Sequence, residues 1–225
     1  MATQLDLQEQ EQLDALKAFW NKQGNLITWV LVLVLAAFAG WNGWQWYQRD
    51  QAAKAGAVFD ELDRAARAGD AERVGRIFGD LKERYPRTAF AQQGGLLAAK
   101  TQFDKGQADA ARASLTWVAA NAVEDEMRTV ARLRLAALQS EVKQYDEALK
   151  TLAAAQTPGF VGLVEDRRGD ILLAQGKTDE ARAAYQAAYK AMGERVDYRR
   201  LIEAKMTALG AAPEAAAAAA SGASR

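Results

Sequence analysis

Four segments of the sequence share one pattern at a nearly constant spacing. Each begins at a turn and places a small or β-branched residue four positions before a large apolar residue. The small or β-branched positions are Val74, Ala111, Ala148 and Ala181, which are separated by 37, 37 and 33 residues. Residues four apart share one face of a helix, so the small residue allows a close crossing while the large residue fills the core. A period of this length predicts that residues 50–209 form a solenoid of helix pairs, and the alternative is an irregular helical bundle whose spacing arises by chance.

The other positions of the repeat fit two antiparallel helices joined by a tight turn. The predicted turn residues are Gly69, Gly106, Lys143 and Gly176. Twelve residues before the small or β-branched positions stand Leu62, Ala99, Ala136 and Gly169, of which three are small. A small residue in the first helix lets the second helix pack closely against it. Pro86 follows the first unit and is expected to end its second helix, because proline has no backbone N–H to donate.

A second feature is an apolar segment without charge. No Asp, Glu, Lys or Arg occurs from residue 23 to residue 48. The 21 residues from 26 to 46 would span about 30 Å as a helix, which matches the hydrocarbon core of one bilayer. Aromatic side chains, which favour the headgroup level, flank this segment at Trp20, Trp29, Trp41, Trp44, Trp46 and Tyr47. The sequence therefore predicts a single transmembrane helix over residues 25–48.

Two alternatives to a membrane span have the same apolar composition. One is a long core helix, although a soluble domain of this size seldom needs one. The other is a cleaved secretory leader, which is disfavoured because four acidic residues precede the segment, whereas a leader begins with a short basic stretch. Lys17 and Lys22 before the segment are balanced by Arg49 and Lys54 after it, so charge alone does not orient the span.

The two ends of the chain have their own patterns. Residues 4–20 fit either a short helix or a disordered polar tail. Residues 195–209 predict a helix that caps the solenoid. Its predicted polar face holds Arg199, Arg200, Glu203 and Lys205, and its predicted apolar face holds Val196, Leu201, Ile202, Met206 and Leu209. The Ala-rich residues 210–225 are expected to be disordered. The predicted fold class is all-α, with one transmembrane helix followed by a helical-repeat solenoid of about four helix pairs and a capping helix.

The composition excludes most catalytic and metal-binding chemistry. The chain has no Cys and no His, which removes thiolate nucleophiles, Cys/His zinc sites and imidazole acid–base catalysis. Gly176-Lys177 lacks the rest of a phosphate-binding loop, and adjacent acids such as Asp179 and Glu180 are typical of helix starts. Lys and Arg total 29, as do Asp and Glu, so no net charge attracts nucleic acid. We predict no catalytic residue, metal ligand or cofactor, and interpret the chain as a binding protein rather than an enzyme.

The four segments resemble the tetratricopeptide repeat. That family has a small residue in its first helix, a turn, Ala-x-x-x-Phe in its second helix, and a Pro before the next repeat. All four segments match the second-helix pattern, whereas the closing Pro is clear only at Pro86. The resemblance implies that the first helix of each unit lines a concave surface, which such solenoids use for binding.

That register predicts the residues of a partner-binding groove. The second unit would contribute Gln93, Leu96, Lys100 and Phe103, and the fourth unit Leu163, Asp166, Asp170 and Leu173. A helix face that must stay dry would not keep Lys100, Asp166 and Asp170 in one register. Phe103 and Leu96 beside Lys100 have the composition of an interaction hot spot. We therefore expect a partly polar groove that binds a client or partner weakly and transiently.

The segments on both sides of the apolar run carry a second resemblance. Before it stands Glu9-Gln-Glu-Gln-Leu-Asp-Ala-Leu-Lys17-Ala-Phe-Trp20-Asn-Lys-Gln-Gly24-Asn, and after it Gly40-Trp-Asn-Gly-Trp-Gln-Trp-Tyr47-Gln. Together with the repeats, these segments resemble the YfgM family of ancillary subunits of the bacterial SecYEG translocon. Phe19 stands where the family has Trp, Asn21 where it has Lys, and Gln23 where it has Asn, and these departures are conservative in size.

This resemblance implies a topology and partners. Residues 1–24 would lie in the cytoplasm, residues 25–48 would cross the bacterial inner membrane, and residues 49–209 would form a periplasmic repeat domain. The implied partners are SecYEG and a periplasmic chaperone of the PpiD type, to which the protein would help to pass secreted chains. The residues themselves leave open a scaffold for another envelope complex, such as one for outer-membrane biogenesis or cell division.

Overall fold

A computed structural model describes residues 7–193 and 197–211. Within these ranges the chain forms nine α-helices, one short 3₁₀ helix at Pro158–Phe160, and no β-strand. The helices are α1 (Leu7–Arg67), α2 (Ala71–Arg84), α3 (Ala89–Asp104), α4 (Ala108–Asn121), α5 (Asp125–Glu141), α6 (Tyr145–Ala153), α7 (Val161–Ala174), α8 (Thr178–Ala191) and α9 (Tyr198–Ala208). Met1–Gln51 and Ala52–Arg225 are two compact units. The all-α prediction is confirmed, with four helix pairs followed by α9.

In the first unit, α1 begins at Leu7 and continues without a break through Gly24 and the apolar segment. The region that fitted either a short helix or a polar tail is thus helical from Leu7 onward, and residues 4–6 lie outside the described residues. The large apolar side chains of residues 26–47 are exposed. By length and composition, this part of α1 could cross a membrane. Such exposure does not fit a core helix, whose apolar side chains would be covered.

Two polar side chains within the apolar stretch bond to the backbone of α1 itself. Thr28 Oγ1 donates to the Gly24 carbonyl oxygen at 2.8 Å, and Asn42 Nδ2 donates to the Phe38 carbonyl oxygen at 2.9 Å. A polar group without a partner in hydrocarbon costs several kcal/mol. These bonds therefore lower the cost of placing Thr28 and Asn42 in or near a bilayer.

In the compact unit Ala52–Arg225, the four predicted turns join the two helices of each pair. The residues Gly69, Gly106, Lys143 and Gly176 have φ of 68°, 75°, 61° and 78°. Each turn is closed by two bonds, as in the second pair, where the Gly106 N–H donates to the Phe103 carbonyl and the Gln107 N–H to the Gln102 carbonyl, both at 2.8 Å. This left-handed conformation is natural for glycine and costs Lys143 roughly 1–2 kcal/mol. Gly210 closes α9 in the same way, with φ of 70°.

The predicted core positions are buried in every pair. The small or β-branched residues Val74, Ala111, Ala148 and Ala181 are all 0% exposed. The large residues four positions later, Phe78, Leu115, Leu152 and Tyr185, are at most 3% exposed. A Cβ added at Gly169 would come within 2.5 Å of the Tyr185 ring, so only glycine fits this crossing. The repeat register derived from the sequence is therefore confirmed.

The helix boundaries follow local signals that the sequence contains. Helix α2 ends at Arg84, just before Pro86, as predicted. Asp70 caps α2 by accepting from the Arg73 N–H at 2.9 Å, and Thr88 caps α3 by accepting from the Ala91 N–H at 3.3 Å. These side-chain bonds satisfy helix-end donors that have no partner within the helix.

Helix α9 packs on α8 but is rotated relative to the predicted faces. Ile202 and Met206 are buried, as expected, whereas Leu201 is 47% exposed and Lys205 points inward. The predicted polar face is thus wrong for Lys205, and the predicted apolar face is wrong for Leu201. The physical reason is the buried Asp166 carboxylate on α7, which Lys205 neutralises. Val196 and the Ala-rich residues 212–225 lie outside the described residues.

A candidate protein-docking groove

The first helices of the second, third and fourth pairs line an open groove. Its volume is about 370 Å³, and residues of α3, α5 and α7 form most of its wall. The floor is apolar, with Ala99, Leu115, Leu133, Ala137 and Leu138. The rim is charged, with Lys100, Arg134, Glu141 and Arg167, and it also carries Phe103. The groove thus combines an uncovered apolar floor with charged groups that can orient a bound chain.

The structure brings two of the predicted binding residues to this groove. Lys100 and Phe103 both line it, and the Phe103 ring is 42% exposed. Burying the rest of such a ring is worth roughly 1–2 kcal/mol to a bound partner. Gln93 is exposed on the same helix, and Leu96 is half-buried against the core around Leu115. Neither Gln93 nor Leu96 is among the residues that line the groove.

Asp166 is placed differently from the expectation. Its side chain is buried and accepts a hydrogen bond from the Tyr198 hydroxyl at 2.7 Å. Lys205 Nζ also donates to both of its carboxylate oxygens, at 2.8 Å to Oδ1 and 3.0 Å to Oδ2. Asp170 is half-buried and accepts from Lys205 Nζ at 2.7 Å and from the Tyr185 hydroxyl at 2.8 Å. We name these five residues the cap cluster. Both carboxylates hold α9 on α7 and α8, so Asp166 is not available to a partner in this structure.

The cap cluster perturbs its two tyrosines. Burial, the hydrogen bond to Asp166 and the nearby negative charge raise the pKa of Tyr198 to about 12. Burial, followed by the bond to Asp170, raises the pKa of Tyr185 as well. Both hydroxyls therefore remain protonated donors at pH 10, where an ordinary tyrosine is half ionised.

The two predicted leucines of α7 also lie away from the groove wall. Leu163 is half-buried, and Leu173 is 40% exposed near the end of α7. The fourth helix pair instead contributes Arg167 to the groove, from α7. The third helix pair contributes five residues of α5, none of which was predicted: Leu133, Arg134, Ala137, Leu138 and Glu141. The 33-residue spacing of Arg134 and Arg167 equals that of Ala148 and Ala181, and this was the signal that could have identified them.

The predicted membrane-interface residues lie on α1 in the first unit. All six are exposed: Trp20, Trp29, Trp41, Trp44, Trp46 and Tyr47. The rings of Trp44 and Tyr47 lie 6.0 Å apart, and the Trp20 ring lies over Gly24. Their contact with headgroups remains a prediction. Among the described residues, no group of three or more Asp or Glu could hold a metal ion.

Comparisons with known proteins agree with this architecture. The model of a tetratricopeptide repeat-like domain family matches residues 17–211. A protein of Neisseria gonorrhoeae named ancillary SecYEG translocon subunit is 30% identical over 204 residues, covering 90% of this chain and 98% of the relative. Proteins of the same name from Escherichia coli and Haemophilus influenzae are 29% and 26% identical over 182 residues, which cover 81% of this chain and 87% and 89% of theirs. The chain therefore belongs to the family of ancillary SecYEG translocon subunits, the YfgM family, and contains a tetratricopeptide repeat-like domain.

Proposed function

We propose that this protein is a membrane-anchored adaptor that works beside the SecYEG translocon and helps to pass secreted chains to a periplasmic chaperone of the PpiD type. The relatives' shared name supports association with the translocon. In this proposal residues 1–24 are cytoplasmic, residues 25–48 cross the inner membrane, and residues 49–209 form the periplasmic repeat domain. The exposed apolar stretch of α1 supports the anchor.

The observation that carries the proposal is the uncovered groove on the first helices of the repeats. Its apolar floor and the exposed Phe103 ring are suited to short apolar segments, which a secreted chain presents before it folds. The groove is open and small, so contact with any one segment is weak and reversible. A tether beside the translocon raises the local concentration of the adaptor, so weak contacts suffice. An adaptor of this kind needs no catalytic group.

Cross-linking in native inner membranes tests the proposed role. A photo-reactive amino acid at Phe103 should cross-link to SecYEG, to a secreted chain, or to a periplasmic chaperone. The control places the same amino acid at Glu72, an exposed position of α2 outside the groove. Equal products at both positions would mean that the groove is not the contact surface. Products from an outer-membrane biogenesis or division complex alone would favour the scaffold function instead.

The anchor and its orientation have their own test. Carbonate washing should leave the full-length chain in the membrane pellet, because the apolar stretch is long enough to cross the hydrocarbon core. Protease added outside spheroplasts should remove the repeat domain and leave the N-terminal segment protected. Release of the chain by carbonate would contradict the anchor, and protection of the repeat domain would contradict its periplasmic side.

A further inference from the structure

The groove holds two arginines at equivalent positions of neighbouring helix pairs. Arg134 on α5 and Arg167 on α7 each stand fourteen residues before the small residue of their unit, Ala148 or Ala181. Equivalent positions in a stack of repeats lie side by side, and both arginines line the groove. Neighbouring packed helices are roughly 8–10 Å apart, a gap that two arginine side chains can close around one anion.

The charges around this pair leave it able to bind an anion. Within the described residues, the Arg134 side chain forms no ion pair or hydrogen bond. Arg167 Nη1 lies 3.6 Å from Asp170 Oδ2, but Asp170 Oδ1 is already bonded to Lys205 and Tyr185. Lys100 is paired with Asp104 on its own helix at 2.5 Å. The one acid of the groove wall, Glu141, lies two helical turns beyond Arg134, roughly 10 Å along α5.

The apolar floor begins directly beside the arginine pair. Leu133, Ala137 and Leu138 lie within about one turn of Arg134, and the exposed Phe103 ring belongs to the same groove. An inorganic anion or a lipid headgroup would satisfy the arginines but leave this floor in contact with water. A protein segment with a carboxylate next to large apolar side chains would satisfy both features at once.

We propose that the groove selects acidic–apolar protein segments, with one Asp or Glu carboxylate held between Arg134 and Arg167. The neighbouring apolar side chains of the segment pack on Phe103, Leu133 and Ala137. This inference rests on the proposed adaptor function and names the chemistry of the chains that the groove accepts. Guanidinium groups suit this task because each can hold a carboxylate through two parallel N–H bonds.

The test uses the full-length chain in detergent micelles and two short fluorescent peptides that differ at one residue, one with a Leu-Glu-Leu core and one with a Leu-Gln-Leu core. Fluorescence anisotropy should show that the Glu peptide binds about tenfold more tightly at low salt, which is the typical net worth of a charge-assisted hydrogen bond. The preference should shrink as salt is added. Equal affinities for the two peptides, or no binding of either, would overturn the proposal.

Two substitutions test whether Arg134 and Arg167 cause this preference. Arg134→Gln should abolish the preference for the Glu peptide, and Arg134→Glu should abolish it as well, because the new carboxylate would pair with Arg167 and repel the Glu of the peptide. Phe103→Ala should weaken both original peptides by the same factor. The control Arg76→Gln changes an exposed arginine of α2 outside the groove and should leave both affinities unchanged. An unaltered Glu preference in Arg134→Gln would overturn the proposal, and circular dichroism will verify that this variant is folded.

This outcome is distinguishable from failure of the adaptor function. If Arg134→Gln loses the Glu preference and the Phe103 cross-links to translocon components are absent, the groove chemistry stands and the proposed role is wrong. If the cross-links form but the two peptides bind equally, the role stands and the carboxylate specificity is wrong.

Discussion

Replacing Lys205 with Met should destabilise the last helix pair by about 3 kcal/mol. The Lys205 ammonium is the only cation bonded to Asp166 among the described residues, and the Asp166 side chain is 3% exposed. Removing the Lys205 ammonium leaves the buried Asp166 carboxylate with the Tyr198 hydroxyl as its remaining partner. Breaking one side of a buried ion pair costs about 3–5 kcal/mol. The lower end applies because Lys205 itself is 24% exposed, so water already solvates part of the pair.

The measurement is urea unfolding of the full-length chain in detergent, followed by far-ultraviolet circular dichroism. Lys190→Met is the matched control, since Lys190 is an exposed lysine near the end of α8 and its loss should change stability by less than about 0.5 kcal/mol. The double variant Lys205→Met/Asp166→Asn should lose less free energy of unfolding than the sum of the two single variants, by at least about 1 kcal/mol. The reason is that Asp166→Asn removes the buried carboxylate that Lys205→Met leaves unpaired.

Two results would refute this reasoning. If Lys205→Met and Lys190→Met unfold at the same urea concentration, the cap cluster does not hold α9 in place. If the effects of Lys205→Met and Asp166→Asn are additive, the two residues are not coupled and the destabilisation has another origin.

Three further predictions concern the turns, the helix crossings and the raised tyrosine pKa. Lys143→Gly should raise the free energy of unfolding by about 0.5–1 kcal/mol, because glycine adopts this positive φ without strain. Gly106→Ala should lower the free energy of unfolding by about 1 kcal/mol, although there is open space around the added Cβ. The opposite order in urea unfolding would contradict the strain assigned to Lys143. Ala181→Phe should lower the free energy of unfolding by about 1–3 kcal/mol, because the larger side chain overpacks a close helix crossing. Leu115→Ala should lower it by about 2–5 kcal/mol, because it leaves a cavity in the core. An unchanged urea midpoint for either variant would contradict the packing described. Because the folded pKa of Tyr198 is raised from 10.0 to about 12, the folded state keeps its proton longer, so this tyrosine's contribution is complete below pH 10 and is lost as the pH rises toward 12. Difference absorbance of tyrosinate against Tyr198→Phe should show this titration near pH 12, and a midpoint near 10 would exclude the buried hydrogen bond.

Sequence alone determined the repeat architecture. Helix pairing depends on local signals: a turn residue that tolerates positive φ, a small or β-branched residue five positions later, and a large residue four beyond that. These signals are short and recur with a nearly fixed period, so the periodicity was sufficient to assign Ala111 and Leu115 to the core. The apolar stretch is equally local, because its length and lack of charge follow from composition.

Tertiary structure decided which residues face the groove. Lys100 and Phe103 both line the groove, on the helix face that a single helix register predicts. The role of Asp166 could not be derived in this way, since its partners Tyr198 and Lys205 lie 32 and 39 residues away in the sequence. The Tyr198 hydroxyl donates to the carboxylate and Lys205 neutralises it, although the repeat pattern assigns Asp166 to an open surface. Likewise, the sequence spacing gives Arg134 and Arg167 equivalent positions in two repeats, but only the stacking of the helix pairs brings both residues to one groove. A helical period reports which face a residue occupies, but the position of neighbouring helices determines whether that face meets water, a counter-ion or the groove.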